Sequence, residues 1–526
     1  QGFQKMILQL WVLLLATFAA VSATPGCISR SFTDGTVCVC NSTYCDDIEA
    51  LGNIPLGYAA VYRSDINGAR MDKVNAQQKS KADGLVVELD PSTLYQEIIG
   101  FGAAFTDSSG FNIKSLPKDA QDLLMKQYFG PTGTEYNLGR VPIASTDFST
   151  TQYSYDDVEG DLDLTNFALA KEDYDYKIPL IKQAMTLQQS NGGVKFFAAP
   201  WAPPGWMKTN GKMEGGGYLL GDPDGPYYVA WANYFVKFFE AYLAEGIAFW
   251  AVTPQNEPNT GHHPNYAWQT LGFNASTESD FVRDHLGPTL KASPASKDVL
   301  IIGMDDNRFL LPDWADVMFA DPAVASYVSG IAVHWYEDEI VNPNILTTTH
   351  DRHPDKFLLA TEACNGWLDV QGKGVRLGFF FRAERYAHSI IEDLNNWVAG
   401  WVDWNMALDT QGGFTWAGNY VDAPIVVDGE EFYKQPMYYA MAHFSKFLKP
   451  GSRRAAVTLP TNPSLPKQGV FVLGVVMVDG RRYVTICNKN NTEDVTISIS
   501  EKGIDGVYTT VAVPAHSIVT VIWNKY

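Results

Sequence analysis

Two stretches decide the fold: Phe249-Trp250-Ala251-Val252-Thr253-Pro254-Gln255-Asn256-Glu257-Pro258 and Phe357-Leu358-Leu359-Ala360-Thr361-Glu362-Ala363-Cys364. Each is a short apolar run of strand length that leads into a glutamate. A carboxylate at the end of an apolar strand is costly to place unless something uses it. Working outward, the same kind of run recurs at Ile98–Ala103, Tyr136–Pro142, Val194–Ala199, Ala248–Thr253, Val299–Met304, Ile331–His334, Phe357–Thr361 and Val398–Val402. Amphipathic segments at Lys118–Tyr128, Asp175–Gln189, Tyr227–Glu245, Glu278–Leu286 and Leu377–Trp397 fall between them. The last is expected to carry Arg382, Arg385, His388 and Glu392 toward solvent. Eight strands alternating with helices predict a (β/α)8 barrel over residues 97–444, with a doubly wound α/β sheet as the rival.

In such a barrel the site lies at the C-terminal ends of the strands. Glu257 follows strand four and Glu362 follows strand seven, on opposed sides of one mouth. Glycoside hydrolysis with retention needs two carboxyls about 5–5.5 Å apart, one as nucleophile and one as acid then base. A solvated surface role is the competing reading of each glutamate taken singly. Their pairing and strand context favour chemistry.

Further motifs surround the pair: Phe101-Gly102-Ala103-Ala104-Phe105-Thr106-Asp107, Arg140-Val141-Pro142, Asp147-Phe148-Ser149, Pro200-Trp201, Trp206 to Gly211, Val333-His334-Trp335-Tyr336, Asp403-Trp404-Asn405 and Phe432 to Met437. With Asn256-Glu257-Pro258 and Thr361-Glu362-Ala363-Cys364, this ordered series resembles the glucosylceramidase-type β-glucosidases of glycoside hydrolase family 30. The resemblance covers nearly the whole chain after residue 23. It implies Glu257 as acid/base and Glu362 as nucleophile. Asn256 would bond the sugar 2-hydroxyl. Asp147, Trp201, Trp404 and Asn419 would hold glucose, and Arg140, His334 and Tyr336 would support the nucleophile. On residue type alone, Arg140 reads equally as a structural ion pair, His334 as a core histidine, and Tyr336 and Trp404 as packing. Cys364 is expected to be a free thiol. The resemblance further implies glucosylceramide presented at a membrane surface, a saposin-type activator, anionic lipid and the lysosome lumen. Secretion, and soluble or polymeric glycosides as substrates, are the alternatives. A non-catalytic carbohydrate- or lipid-binding protein is the rival of another class, and it has no need of the glutamate pair. The stretches Pro254-Gln255, Gly215-Gly216-Gly217 and Gly261-His262-His263 depart from the family's vertebrate pattern, so aglycone preference is the least determined property.

The remaining sequence bounds the setting. Residues 1–23 read as a leader with a signal peptide, apolar from Ile7 to Val21 and ending Val21-Ser22-Ala23. Cys27, Cys38, Cys40 and Cys45 follow at once. Their C-x10-C-x-C-x4-C spacing lacks paired zinc knuckles, so two local disulfides are favoured over zinc, with the pairing left open. They would staple a small N-terminal β element, residues 24–50, which the resemblance packs against about 406–437. Asn41, Asn274 and Asn490 lie in glycosylation sequons. Residues 445–526 hold β-branched runs separated by turns, which predict a β-sandwich completed by 51–96. A net charge of 39 − 59 = −20 argues against nucleic acid as a partner. No metal cage or cofactor fingerprint stands out, and hydrolysis needs neither.

Overall fold

The computed structural model describes residues 26–189, 192–367, 372–460, 465 and 469–526. The leader expected at residues 1–23 lies outside them. Eight parallel strands close into a barrel: β1 (Gly100–Ala104), β2 (Leu138–Ile143), β3 (Lys195–Pro200), β4 (Ala251–Val252), β5 (Leu300–Asn307), β6 (Val328–His334), β7 (Phe357–Glu362) and β8 (Val398–Asn405). Seven of them send one buried residue each into a shared apolar layer, from Leu138 on β2 to Val402 on β8. That layer plugs the barrel floor and leaves its mouth for polar groups. Glycine is required where β1 meets its neighbours. A Cβ at Gly102 would sit 2.0 Å from the Leu138 carbonyl, and one at Gly400 2.3 Å from that of Gly100.

The barrel therefore stands, and the doubly wound alternative falls because the sheet closes from β8 back to β1. β4 is shorter than the sequence suggests, since the chain turns at Thr253 to deliver Glu257. β5 is longer. Its acidic end, Asp305-Asp306-Asn307, remains strand-paired with β6 through a register shift.

A second sheet of nine strands, among the described residues, joins both ends of the chain. Its order runs Thr509–Val513, Val495–Glu501, Leu85–Glu97, Arg453–Thr458, Val470–Val476, Arg482–Asn488, Ser517–Trp523, Tyr58–Asp65 and Asp72–Gln77. Valine and isoleucine side chains fill its interior. A smaller sheet pairs Thr36–Cys40 with Glu431–Lys434. Its disulfides link Cys27 to Cys38 and Cys40 to Cys45. The buried Lys434 ammonium lies 2.9 Å from the Asp46 carboxylate and donates to Gln127, tying this sheet to the barrel.

The expectation for the helix Phe380–Asn395 needs correction. Arg382 is fully buried and pairs with Asp422, while Arg385, His388 and Glu392 are half-buried. Lys489, just past the strand Arg482–Asn488, lies 3.3 Å from His388, and His388 packs on Phe471 of the nine-stranded sheet. Only His388 on this face meets the second domain; Arg382, Arg385 and Glu392 pair with Asp422, Glu339 and Arg308 of the barrel domain. Burial and the nearby cations push the His388 imidazole down to about 3.

Candidate active site

Strand ends assemble the site. β2 supplies Arg140, whose guanidinium is completely buried. It donates through Nη1 to Glu362 Oε2, and through Nη2 to Asp305 and to Asn256 Oδ1, each at 2.8 Å. The Tyr336 hydroxyl donates to the other Glu362 oxygen at 2.6 Å. Both oxygens of Glu362 are thus held, and the charge they face is positive. Glu257 accepts on the opposite side from His334 Nδ1 at 3.1 Å and from the Tyr266 hydroxyl at 3.3 Å. Oxygen atoms of Glu257 and Glu362 lie within 4.8 Å of each other, with a His334 ring nitrogen between them. Carboxyls this close leave less room than the roughly 6.5–9.5 Å that an inverting pair needs for its water.

Glu257 sits at φ +42°, in the left-handed region that a residue with a Cβ seldom adopts. Ala144, Met304 and Asp305 share that region at the same mouth. Strain at this many non-glycine positions persists only where the surroundings over-determine it. Here a backbone bond from Glu257 N–H to the Asp305 carbonyl, 2.9 Å, fixes the turn.

Asp305 is the residue that sequence reasoning missed. Each of its oxygens accepts two donors: Arg140 and Thr253 on Oδ2, His334 and Thr361 on Oδ1. Burial alone would raise its carboxyl, but Arg140 and His334 overcome this and hold it well below the usual carboxylate range. Burial would likewise lower His334, yet Glu362, Asp305 and Glu257 surround it and lift it to about 10. Both ring nitrogens of His334 already face carboxylates, Nδ1 that of Glu257 and Nε2 that of Asp305, so the Glu257–His334–Glu362 cluster fits a proton and charge network better than a metal site. Asp305-Asp306-Asn307 at the end of β5 carries the same signal as Glu257 and Glu362, carboxylates that close an apolar strand. Tyr266 comes from an irregular loop that carries no periodic signal.

The sugar side of the cavity gathers the other expected residues. The Trp201 and Trp404 rings stack at 5.0 Å, and the Arg140 guanidinium lies over both. Asn419 donates to Asp147 at 2.8 Å. Burial raises the Asp147 carboxyl to about 7. Asn256, its oxygen taken by Arg140, keeps its amide N–H groups for a ligand. The cavity that these residues share with both glutamates measures about 290 Å³. The Cys364 thiol is free and buried at its wall, and burial pushes it far above the ordinary thiol range. Nucleophilic use of that sulfur is disfavoured. Away from the site, Asn274 is exposed and caps a helix, and Asn41 and Asn490 are half-buried in turns.

Residues 98–448 match the Glycosyl hydrolase family 30 TIM-barrel domain, and residues 451–521 match the Glycosyl hydrolase family 30 beta sandwich domain. The chain belongs to glycoside hydrolase family 30. It is 48% identical to the putative glucosylceramidase 4 of Caenorhabditis elegans, with 93% of each chain covered. It is 43% identical to the lysosomal acid glucosylceramidase of Mus musculus, over 97% of this chain and 98% of the relative. Among solved structures, SrfJ from Salmonella typhimurium superposes with a TM-score of 0.80 at 26% identity, covering 89% of this chain and all of that one. This family 30 chain is a glycoside hydrolase.

The family 30 barrel also carries a pH dependence. Burial raises Asp147, Asp306 (where the charge of Glu257 adds to it), Asp393 and Glu384 to about 7, and Glu278 to about 8. Unfolded carboxyls titrate near 4. Between about pH 6 and 8 the folded protein therefore sheds protons that the unfolded chain has already lost, so stability falls as pH rises. His334, raised to about 10, acts in the same direction above pH 6.5. His388 and His443, lowered to about 3 chiefly by burial, oppose this only below pH 6.5. Thermal unfolding monitored by circular dichroism is expected to give a Tm several degrees lower at pH 8 than at pH 6. Glu278→Gln should flatten that slope. A Tm that rises from pH 6 to 8 would contradict the assignment of these carboxyls.

Proposed function

We propose that this enzyme is a retaining β-glucosidase that hydrolyses glucosylceramide to glucose and ceramide, with Glu362 as nucleophile and Glu257 as acid/base. The observation that carries the reading is the 4.8 Å limit on the carboxylate pair at the mouth of a one-sugar cavity. Glu362, held by Arg140 and Tyr336, attacks the anomeric carbon. Glu257 gives its proton to the glycosidic oxygen, the bond to the aglycone breaks, and a glycosyl-enzyme forms. Water then replaces the aglycone. Glu257 takes its proton, and the second inversion returns a β-configured glucose. Asn256 is placed to bond the 2-hydroxyl, Asp147 and Asn419 other hydroxyls, and Trp201 and Trp404 to pack on apolar C–H faces.

A volume of about 290 Å³ is at the lower end of small-ligand sites and suits one hexose better than a polymer. The relatives named glucosylceramidases support the lipid substrate, and the mouse relative supports a lysosomal setting. Presentation of the lipid at a membrane surface, with a saposin-type activator and anionic lipid, belongs to the same reading. No helix among the described residues is long and apolar enough to cross a membrane. The test is hydrolysis of an aryl β-glucoside and of glucosylceramide in mild acid, with the first-formed anomer read by proton NMR. Activity on both with β-glucose appearing first is expected. First-formed α-glucose would overturn retention, and activity confined to soluble glucosides or to β-1,6-glucan or xylan would overturn the lipid substrate.

A further inference from the structure

The Glu278 side chain is completely buried and does not line the cavity. It projects from the helix Ala275–Phe281 onto β5, where its Oε1 accepts from the Met304 amide at 3.0 Å. A glycine lets helix and strand come this close. A Cβ at Gly303 would sit 2.7 Å from the Met318 sulfur and 3.5 Å from Glu278 Oε1. The other Glu278 oxygen is buried without a hydrogen bond among the described residues. A buried carboxyl that serves a single backbone N–H is a poor way to stabilise a fold, because its unpaired atom costs more than one bond returns. The bond has a local use instead.

Met304 and Asp305 stand at φ +73° and +55°. Two consecutive non-glycine residues in that region persist only where their surroundings hold them. The register of β5 against β6 shifts between Met304 and Asp306. Asp305 is thus the extra residue of a bulge, a device that re-aims a side chain beside an active site. β4 pairs with β5 only at Leu300 and Ile301, so the ladder on that side ends before the bulge. Two backbone groups of the bulge are tied elsewhere: the Met304 N–H to Glu278, and the Asp305 carbonyl to the Glu257 N–H at 2.9 Å. We propose that Glu278 is a positioning residue for the acid/base: by taking the Met304 N–H it holds the bulge whose carbonyl fixes the turn presenting Glu257. This rests on the β-glucosidase reading above. The Asp305 carboxylate has four side-chain donors of its own, so Arg140 and the nucleophile it orients keep their support when the bulge loosens. The Asp305 carbonyl moves with its backbone, and Glu257 moves with it.

The test compares kcat/KM on an aryl β-glucoside with an acidic phenol and on an alkyl β-glucoside. The proteins are the wild type, Glu278→Gln and Glu278→Met, with Glu257→Gln as the reference for a lost acid/base and Tm as the check on folding. Glu278→Gln keeps the accepting oxygen and should behave as the wild type on both substrates. Glu278→Met is similar in length but leaves the Met304 N–H buried and unpaired. Its loss on the alkyl glucoside should exceed that on the aryl glucoside by about 10-fold, a fraction of the roughly 10²–10⁴ that general acid catalysis supplies. A merely structural glutamate would not distinguish the leaving groups. Equal losses on the two glucosides, a Glu278→Gln variant as impaired as Glu278→Met, or a Glu278→Met variant unaffected on both would overturn the proposal. Should Glu278→Met fail to fold, Glu278→Asp carries the test: its carboxyl is drawn back from Met304 by one methylene, and the same leaving-group dependence is expected. A wild type inactive on both glucosides, or a Glu257→Gln variant without leaving-group dependence, would sink the β-glucosidase reading beneath the proposal, which is a different result.

Discussion

Glu362→Gln is expected to lower kcat on an aryl β-glucoside by on the order of 10⁴–10⁶, the scale on which removal of a covalent nucleophile is felt. The amide keeps the shape of the carboxyl, so the cavity stays intact and substrate still binds. What is lost is the charge that Arg140 and Tyr336 orient. The Glu257→Gln variant separates the two roles. General acid catalysis contributes about 10²–10⁴, and only where the leaving group needs a proton. Its loss should therefore leave kcat/KM little changed on an aryl glucoside with an acidic phenol and lower it strongly on an alkyl glucoside, while kcat falls on both because activation of water is lost as well. Glu362→Gln should lose activity on both. Steady-state kinetics on the two substrates, with Tm as the check on folding, decide the matter. A leaving-group dependence in Glu362→Gln and none in Glu257→Gln would reverse the assignment.

Much of this site was legible because a barrel turns strand order into geometry. Once β4 and β7 were recognised, Glu257 and Glu362 had to face one another. Asp305 was hidden for a physical reason. A buried aspartate inside a strand looks prohibitive until its four donors are known, and they come from β2, β6, β7 and the turn after β4. None of those pairings is local in sequence. The helix Phe380–Asn395 teaches the complementary lesson. Its periodicity gave a polar face correctly, but periodicity does not say whether water or another polar surface lies opposite. At His388 it is Lys489, just past the strand Arg482–Asn488, that lies opposite. The strand Leu85–Glu97 contains Pro91 and pairs with both Arg453–Thr458 and Val495–Glu501. Only the closing of the chain's two ends makes it central.

Asp305→Asn is expected to damage both catalytic glutamates at once, although Asp305 touches no substrate. Whichever way the amide turns, its NH2 is set against a cation, Arg140 or His334, and only the threonine hydroxyl on that side can accept from it. Arg140 then keeps only Glu362 as a charged partner, and His334 keeps only the glutamates. Breaking one member out of a buried ion cluster costs about 3–5 kcal/mol, so Tm should fall by several degrees. The wild-type carboxyl, held far down by Arg140, stays ionised through the acid range. Its stabilising contribution is present above pH 4 and is not lost in mild acid. Catalytically, kcat should drop about 10²-fold with KM little changed, because the sugar contacts lie on the other wall. The informative readout is the pH profile. With Asp305 neutralised, His334 loses a charge partner that keeps it protonated, and the alkaline limb of kcat/KM should move to lower pH. A variant that loses stability while keeping the wild-type pH profile would reduce Asp305 to a packing residue and leave the positioning of Glu257 to His334 and Tyr266 alone.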